Sequence, residues 1–147
     1  MTRRVVMLLA LWLPALAASP TQAEEQAVRI SAGTLEADAS SHRVSFKGEV
    51  SVEGKDLAIR CDRLLAEYGP QGELTRLRAE GNLKLVYRDL HASADAADVD
   101  LLRRVIVLSG RPSAEQGGAR IEGERIELDL ADGKMEVKGV HGVFRIR

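Results

Sequence analysis

A period of 29 residues runs through most of this chain and constrains its fold more than any other feature. Glycines recur at Gly48, Gly81, Gly110 and Gly139, each preceded by a landmark residue at Gly33, Asp62, Asp95 or Glu124. From landmark to glycine the steps are 15, 19, 15 and 15, and from each glycine to the next landmark 14. One copy therefore carries four extra residues, and they fall around Gly69, Pro70, Gln71 and Gly72, which is turn chemistry. A fixed period of this length means one supersecondary unit per repeat. Such a unit buries its apolar face only by stacking on its neighbours.

Within each unit the apolar residues alternate as in strands. Val44, Phe46, Val50 and Val52 are interleaved with Ser45, Lys47, Glu49 and Ser51. Leu83, Leu85 and Tyr87 are interleaved with Lys84, Val86 and Arg88, and Ile126, Leu128 and Leu130 with Glu127 and Asp129. Period 2 places one face inward and the other in water. The parity changes at the landmark: Ile59 and Cys61 precede Asp62 by odd steps, whereas Leu64 and Ala66 follow it by even steps. A straight strand would turn its apolar face to solvent there, so a bulge or corner is expected at each landmark. The expected fold is all-β: an open, slightly twisted β-roll of about four rungs with an apolar interior. The Ala-rich run 92–102 is read as a strand from its place in the repeat. The inward set is Val44, Phe46, Val50, Val52, Ile59, Leu64, Leu83, Leu85, Val99, Ile106, Leu108, Ile121, Ile126 and Leu128. Ala79, Ala92, Ala94 and Ala97 join it at the second full rung, where small side chains leave either free volume or tighter packing.

Composition excludes several classes of function. The net charge is −1 and aromatics make up 3%, so neither a basic field nor a base-stacking platform points to nucleic acid. The single cysteine, Cys61, permits no internal disulfide and reads as a small buried apolar residue. His42, His91 and His141 are far apart and form no metal-binding or catalytic motif, and His141 marks a fraying last rung. Asp62, Asp95 and Glu124 are expected to accept hydrogen bonds from exposed backbone amides at the corners. With no phosphate loop and no nucleophile elbow, the chain reads as a non-enzyme without cofactor or metal. The arginines, such as Arg60, Arg78, Arg88, Arg104 and Arg120, are mixed with Asp and Glu. They read as a solvated face, with phosphate binding at the mouth of the roll as the alternative.

The N-terminus has the layout of a secretory signal: Arg3 and Arg4, an apolar run of about 14 residues, then Thr21, Gln22 and Ala23 before Glu24. The run falls short of the roughly 20 residues that cross a bilayer. Residues 1–23 are the expected signal peptide, with cleavage after Ala17 as the alternative, and 24–147 a single exported domain in the periplasm. Near the C-terminus, in the expected strand from Val143 to Arg147, Phe144 and Ile146 alternate with Arg145 and Arg147, and Val143, Phe144 and Ile146 suit an edge strand that pairs with a partner.

Four segments together resemble the OstA-like family. They are the F-x-G-x-V-x-V pattern at 46–52, I-x-C-D-x-L at 59–64, V-L-S-G-x-P at 107–112 and I-x-G-E-x-I-x-L-D at 121–129. The likeness covers about 28–139 and implies a β-jelly roll open at both ends. It also implies a function: binding the lipid A acyl chains of lipopolysaccharide on the inward set and bridging LptC-like inner-membrane and LptD-like outer-membrane proteins. Head-to-tail homo-oligomers are implied as well. An acyl chain needs an aliphatic, water-free channel, which the inward Val, Leu and Ile residues supply. An inward charge at Leu85 or Leu108 is then expected to abolish lipid binding and spare the fold. Two other readings stand beside it: a filled β-roll that assembles edge to edge without lipid, and an LptC-like relative that keeps its N-terminal anchor.

Overall fold

A computed structural model describes residues 27–143. The expected signal at 1–23, and Phe144 and Ile146 of the expected edge strand, lie outside them. The described chain forms one antiparallel sheet of 12 strands. These are β1 (Arg29–Ser31), β2 (Thr34–Asp38), β3 (Arg43–Gly54), β4 (Leu57–Tyr68), β5 (Leu74–Tyr87), β6 (Leu90–Asp100), β7 (Val105–Ser109), β8 (Ser113–Gln116), β9 (Ala119–Glu122), β10 (Arg125–Asp129), β11 (Met135–Lys138) and β12 (His141–Val143). The run 92–102 is a strand through Asp100, as its place in the repeat requires. The inserted residues form the β4–β5 turn, where the Gly69 N–H donates to the Glu73 carbonyl at 2.7 Å.

The long strands β3 to β6 each serve two half-sheets. One half pairs β2 with residues 43–47, then 63–68, 74–80, 96–100, β7, β10 and β11. The other pairs β1 with residues 50–54, then 57–61, 83–87, 90–94, β8, β9 and β12. The two halves meet along a corner line formed by the landmarks and glycines. Opposite edges of the halves, where the hairpin turns lie, face each other across a mouth.

The corner is a column of bulges, and the repeat spacing is its geometry. In β3, Gly48 and Glu49 together oppose Asp62 alone, because the register jumps from Lys47 opposite Arg63 to Val50 opposite Cys61. In β5, Gly81 and Asn82 oppose Asp95 in the same way. The expected bulge is present, but its extra residue belongs to the glycine strand, and the landmark is the single residue opposite. Both bulge residues take left-handed conformations, with φ of 81° and 44° in β3 and 83° and 44° in β5. The two-against-one count preserves inward parity on the glycine strand and reverses it on the landmark strand. Glycine is required at Gly81 and Gly110 for space as well as for φ. A Cβ there would come within 2.6 Å of Asp62 and 2.5 Å of Asp95 respectively.

Toward the C-terminus the corner breaks the strands. Gly110 and Arg111 have φ of 75° and 51°, and buried Pro112 has no N–H to continue the ladder, so β7 and β8 are separate. Landmark side chains do not bond backbone amides as expected. Asp62 accepts from the Asn82 amide at 3.0 Å, and Asp95 pairs with Arg111 at 3.8 Å. Each finds its partner in the bulge residue that follows the opposite glycine.

Candidate functional site

The inner faces of the half-sheets carry two apolar rows that run from edge to edge. In the first half, Phe46, Leu64, Ala79, Ala97, Leu108 and Ile126 stand opposite one another in successive strands. The row reaches Leu35 at one edge and Val137 at the other. In the second half, Val52, Ile59, Leu85, Ala92, Ala114 and Ile121 do the same, ending at Ile30 and Gly142. Among the described residues no polar or charged side chain is buried. Of the sequence-predicted inward set, Val44 and Ile121 are half-buried and the other residues are buried. Val143, in β12, is 71% exposed on the edge.

The middle of this interior is filled. Ala79 and Ala97 are 0% exposed, so no water-sized space adjoins them. Tighter packing holds at Ala79 and Ala97, whereas Ala92 and Ala94 keep 6% and 8% exposure and border free space. Smaller spaces border the rows, one of about 330 Å³ at Phe46 and Leu64 and one of about 220 Å³ at Leu85, Ala92 and Ala114. Free space also lies along the mouth, in an open cavity of about 710 Å³. Its walls come from turns of both halves: Leu57 and Tyr87 from one, Tyr68, Leu74, Leu101 and Leu130 from the other. Val28 and Ile30 extend it to the β1 edge. Lys55, Arg88 and Arg104 form its rim. Arg88 is paired with Asp56 at 3.8 Å, whereas Lys55 and Arg104 have no ion-pair partner among the described residues. An apolar wall with a cationic rim suits a molecule that is aliphatic at one end and anionic at the other. Leu57, Tyr68, Leu74 and Leu101 were absent from the sequence-predicted set. The signal was present for three of them: Leu57, Tyr68 and Leu101 extend the inward alternation of Ile59, Ala66 and Val99 by one step to the turns, whereas Leu74 lies one residue off the alternation of Leu77 and Ala79.

The outer faces have a different character. Arg78 lies between Glu80 at 2.8 Å and Asp98 at 2.7 Å, and these hydrogen bonds raise its pKa further above its already high value. Arg63 pairs with Glu80, Arg76 with Asp100 and Arg43 with Glu67. These arginines form the solvated mixed-charge face expected of them, and each exposed pair contributes about 0–1 kcal/mol. A groove of about 610 Å³ beside the corner combines Leu83, Ala94 and Pro112 with charged side chains, among which Arg111 pairs with Asp95 and Arg120 with Glu122. His42, His91 and His141 are all exposed. Among the described residues no group of three His, Cys, Asp or Glu side chains is placed to hold a metal ion. Burial raises the pKa of the Cys61 thiol, which makes it a packing group and a poor nucleophile.

Comparison with known proteins gives a consistent picture. Residues 29–134 match a family model described as LptA/(LptD N-terminal domain) LPS transport protein. A solved structure of LptH, the LptA-homologous periplasmic component of the conserved lipopolysaccharide transport device from Pseudomonas aeruginosa, superposes with a TM-score of 0.76. That match is 16% identical in sequence and covers 83% of this chain and 97% of the other, so it shows a shared fold. No curated protein matches the sequence.

Proposed function

The chain belongs to the LptA/LptD N-terminal domain family of lipopolysaccharide transport proteins, and from that membership we propose that it is a periplasmic bridge that carries lipopolysaccharide between inner- and outer-membrane components. The observation that carries this reading is the pair of apolar rows, continuous from edge to edge and flanked by an apolar mouth with a cationic rim. Acyl chains seat against the rows and mouth, where burial of aliphatic surface contributes about 25 cal/mol per Å². Phosphate groups of the headgroup face Lys55, Arg88 and Arg104. Because the middle is filled, seating a chain there requires the half-sheets to part at the mouth. Export to the periplasm is part of the same reading and is supported by the signal-like residues 1–23. Among the described residues, edge strands β2 and β12 are unpaired on their outer sides and expose Leu35 and Val143, which supports head-to-tail pairing with LptC-like and LptD-like folds or with further copies of this chain.

The test is native mass spectrometry and light scattering on protein recovered from the periplasm, with and without added lipopolysaccharide. A charge at Leu85 or Leu108 is unsuitable, because these side chains are 1% and 2% exposed. A buried carboxylate costs several kcal/mol and would unfold the domain. Leu74→Asp is the informative variant, since Leu74 is half-buried on the mouth. It is expected to keep the circular dichroism spectrum and lose about tenfold in lipopolysaccharide affinity, the order of one lost aliphatic contact. Self-association of a wild type that takes up no lipid would instead favour the purely structural module.

A further inference from the structure

Among the described residues, one side-chain hydrogen bond spans the mouth. The Tyr87 hydroxyl, at the end of β5 in the second half-sheet, donates to the Leu130 carbonyl in the first at 3.2 Å. The ring is nearly buried. The Arg88 guanidinium stacks on it, 5.1 Å from the ring centroid, and is itself tethered to Asp56 at 3.8 Å. Tyr87 also stands between two spaces. On the β1 side lies the cavity of about 710 Å³. Toward β10 and β11 lies a second cavity of about 90 Å³ that includes Leu90, Leu128 and Met135. Tyr87 and Arg88 line both.

We propose that Tyr87 is a gate across the lipid track, a positioning residue that separates a large receiving compartment from a small onward one. The inference rests on the lipid-bridge reading above. An acyl chain in the larger cavity reaches the rows beyond it only when Tyr87 releases Leu130 and the ring swings aside. A methylene chain offers no acceptor, so nothing in the cargo replaces the broken bond, and the closed arrangement is favoured several-fold. The Arg88 stack couples the gate to the headgroup. An anion on the rim competes with Asp56 for Arg88, draws the guanidinium off the ring and loosens the gate as cargo arrives.

The experiment is exchange of bound fluorescent lipopolysaccharide against an unlabelled excess, followed by stopped flow on the intact exported protein. Tyr87→Phe keeps the ring and removes the hydroxyl. It is expected to speed exchange about five-fold, with the amount bound at saturation unchanged. Thr75→Val removes a hydroxyl-to-carbonyl hydrogen bond of similar length, to Glu67 at 3.0 Å, that stays within one half-sheet and away from the cavity, and is expected to exchange like wild type. Arg88→Ala is expected to act in the same direction as Tyr87→Phe. Wild-type exchange in Tyr87→Phe, with lipid still bound, would overturn the gate and leave the transport reading standing. Equal acceleration in Tyr87→Phe and Thr75→Val would also overturn it, by showing general loosening. A wild type that captures no lipopolysaccharide would sink the transport reading and the gate together.

Discussion

The middle of the roll and its ends are written in the same repeat but have different physical situations. In β3 to β6 each strand has a partner on both sides in both half-sheets, and the bend is made within one continuous strand. At the ends the corner splits the strands, giving β1 and β2 at one side and β7 to β12 at the other. Equivalent apolar positions then differ sharply: Leu64 is 2% exposed, whereas Leu35, in the same row, is 56% exposed. A repeat position is therefore apolar because of where it sits in its unit, but it is buried only if both neighbouring rungs exist. Among the described residues, the terminal rungs carry core residues without a complete core.

The widest separation between middle and end is expected from side-chain truncation. Leu64→Ala is expected to lower stability by about 2–5 kcal/mol, and Leu35→Ala by less than about 1 kcal/mol, in urea unfolding followed by circular dichroism. Similar losses at the two sites would mean that the edge is covered in solution. The corner is expected to give a smaller contrast. Gly48→Ala meets only Gly33, at 3.8 Å, and is expected to cost about 1–2 kcal/mol for its left-handed backbone. Gly81→Ala adds the collision with Asp62 and is expected to cost about 1–3 kcal/mol more. Equal costs would show that the landmark side chain moves aside freely.

The gentlest contrast is in pH. Hydrogen bonds from the Ser40 hydroxyl and amide, and from Ser41, hold the Asp38 carboxyl at a pKa of about 2, below its ordinary 3.8. A depressed pKa means that the β2–β3 turn gains support above the ordinary value and loses it as pH falls through about 2. NMR titration is expected to show the Asp38 carboxyl and Ser40 amide moving together with that midpoint. Asp100, at the end of the middle strand β6, is held below the ordinary carboxylate value in the same direction by the Arg103 and Leu102 amides and by Arg76. The β6–β7 turn is therefore also expected to lose support as the pH falls through the acid range. Titration of Asp38 near 3.8 would show that the turn is not formed in solution.

The period, the strand alternation and the corner were all legible in the sequence, because they obey local rules: parity, glycine spacing and turn chemistry. Glycine and landmark face each other in space, and the spacing between them is simply the length of the hairpin that joins them. Which strand carries the extra bulge residue was not legible, since either placement satisfies the parity change. The filled centre was also undetermined, because Ala79 and Ala97 fit both a void and a tight contact until the opposite half-sheet is placed. The mouth was hidden for a different reason. It joins turns from separate rungs, as with Tyr87 and Leu130, at a separation that is not a multiple of the repeat. The landmark carboxylates were misread because their partners, Asn82 and Arg111, lie on the neighbouring strand and not in the local backbone.

The corner column has a mechanical consequence. Along the stacking direction each half-sheet is cross-linked by ladders of backbone hydrogen bonds, so extension or shear in that direction meets high resistance. Across the mouth, the described residues offer dispersion contacts and one tyrosine hydroxyl. The softest deformation of the molecule is thus a rotation of the two halves about the line of left-handed glycines, like covers turning on a spine, with the ladders within each cover left intact. A protein built this way has one compliant coordinate and is stiff in the others, so its internal width adjusts to its contents while its length stays fixed.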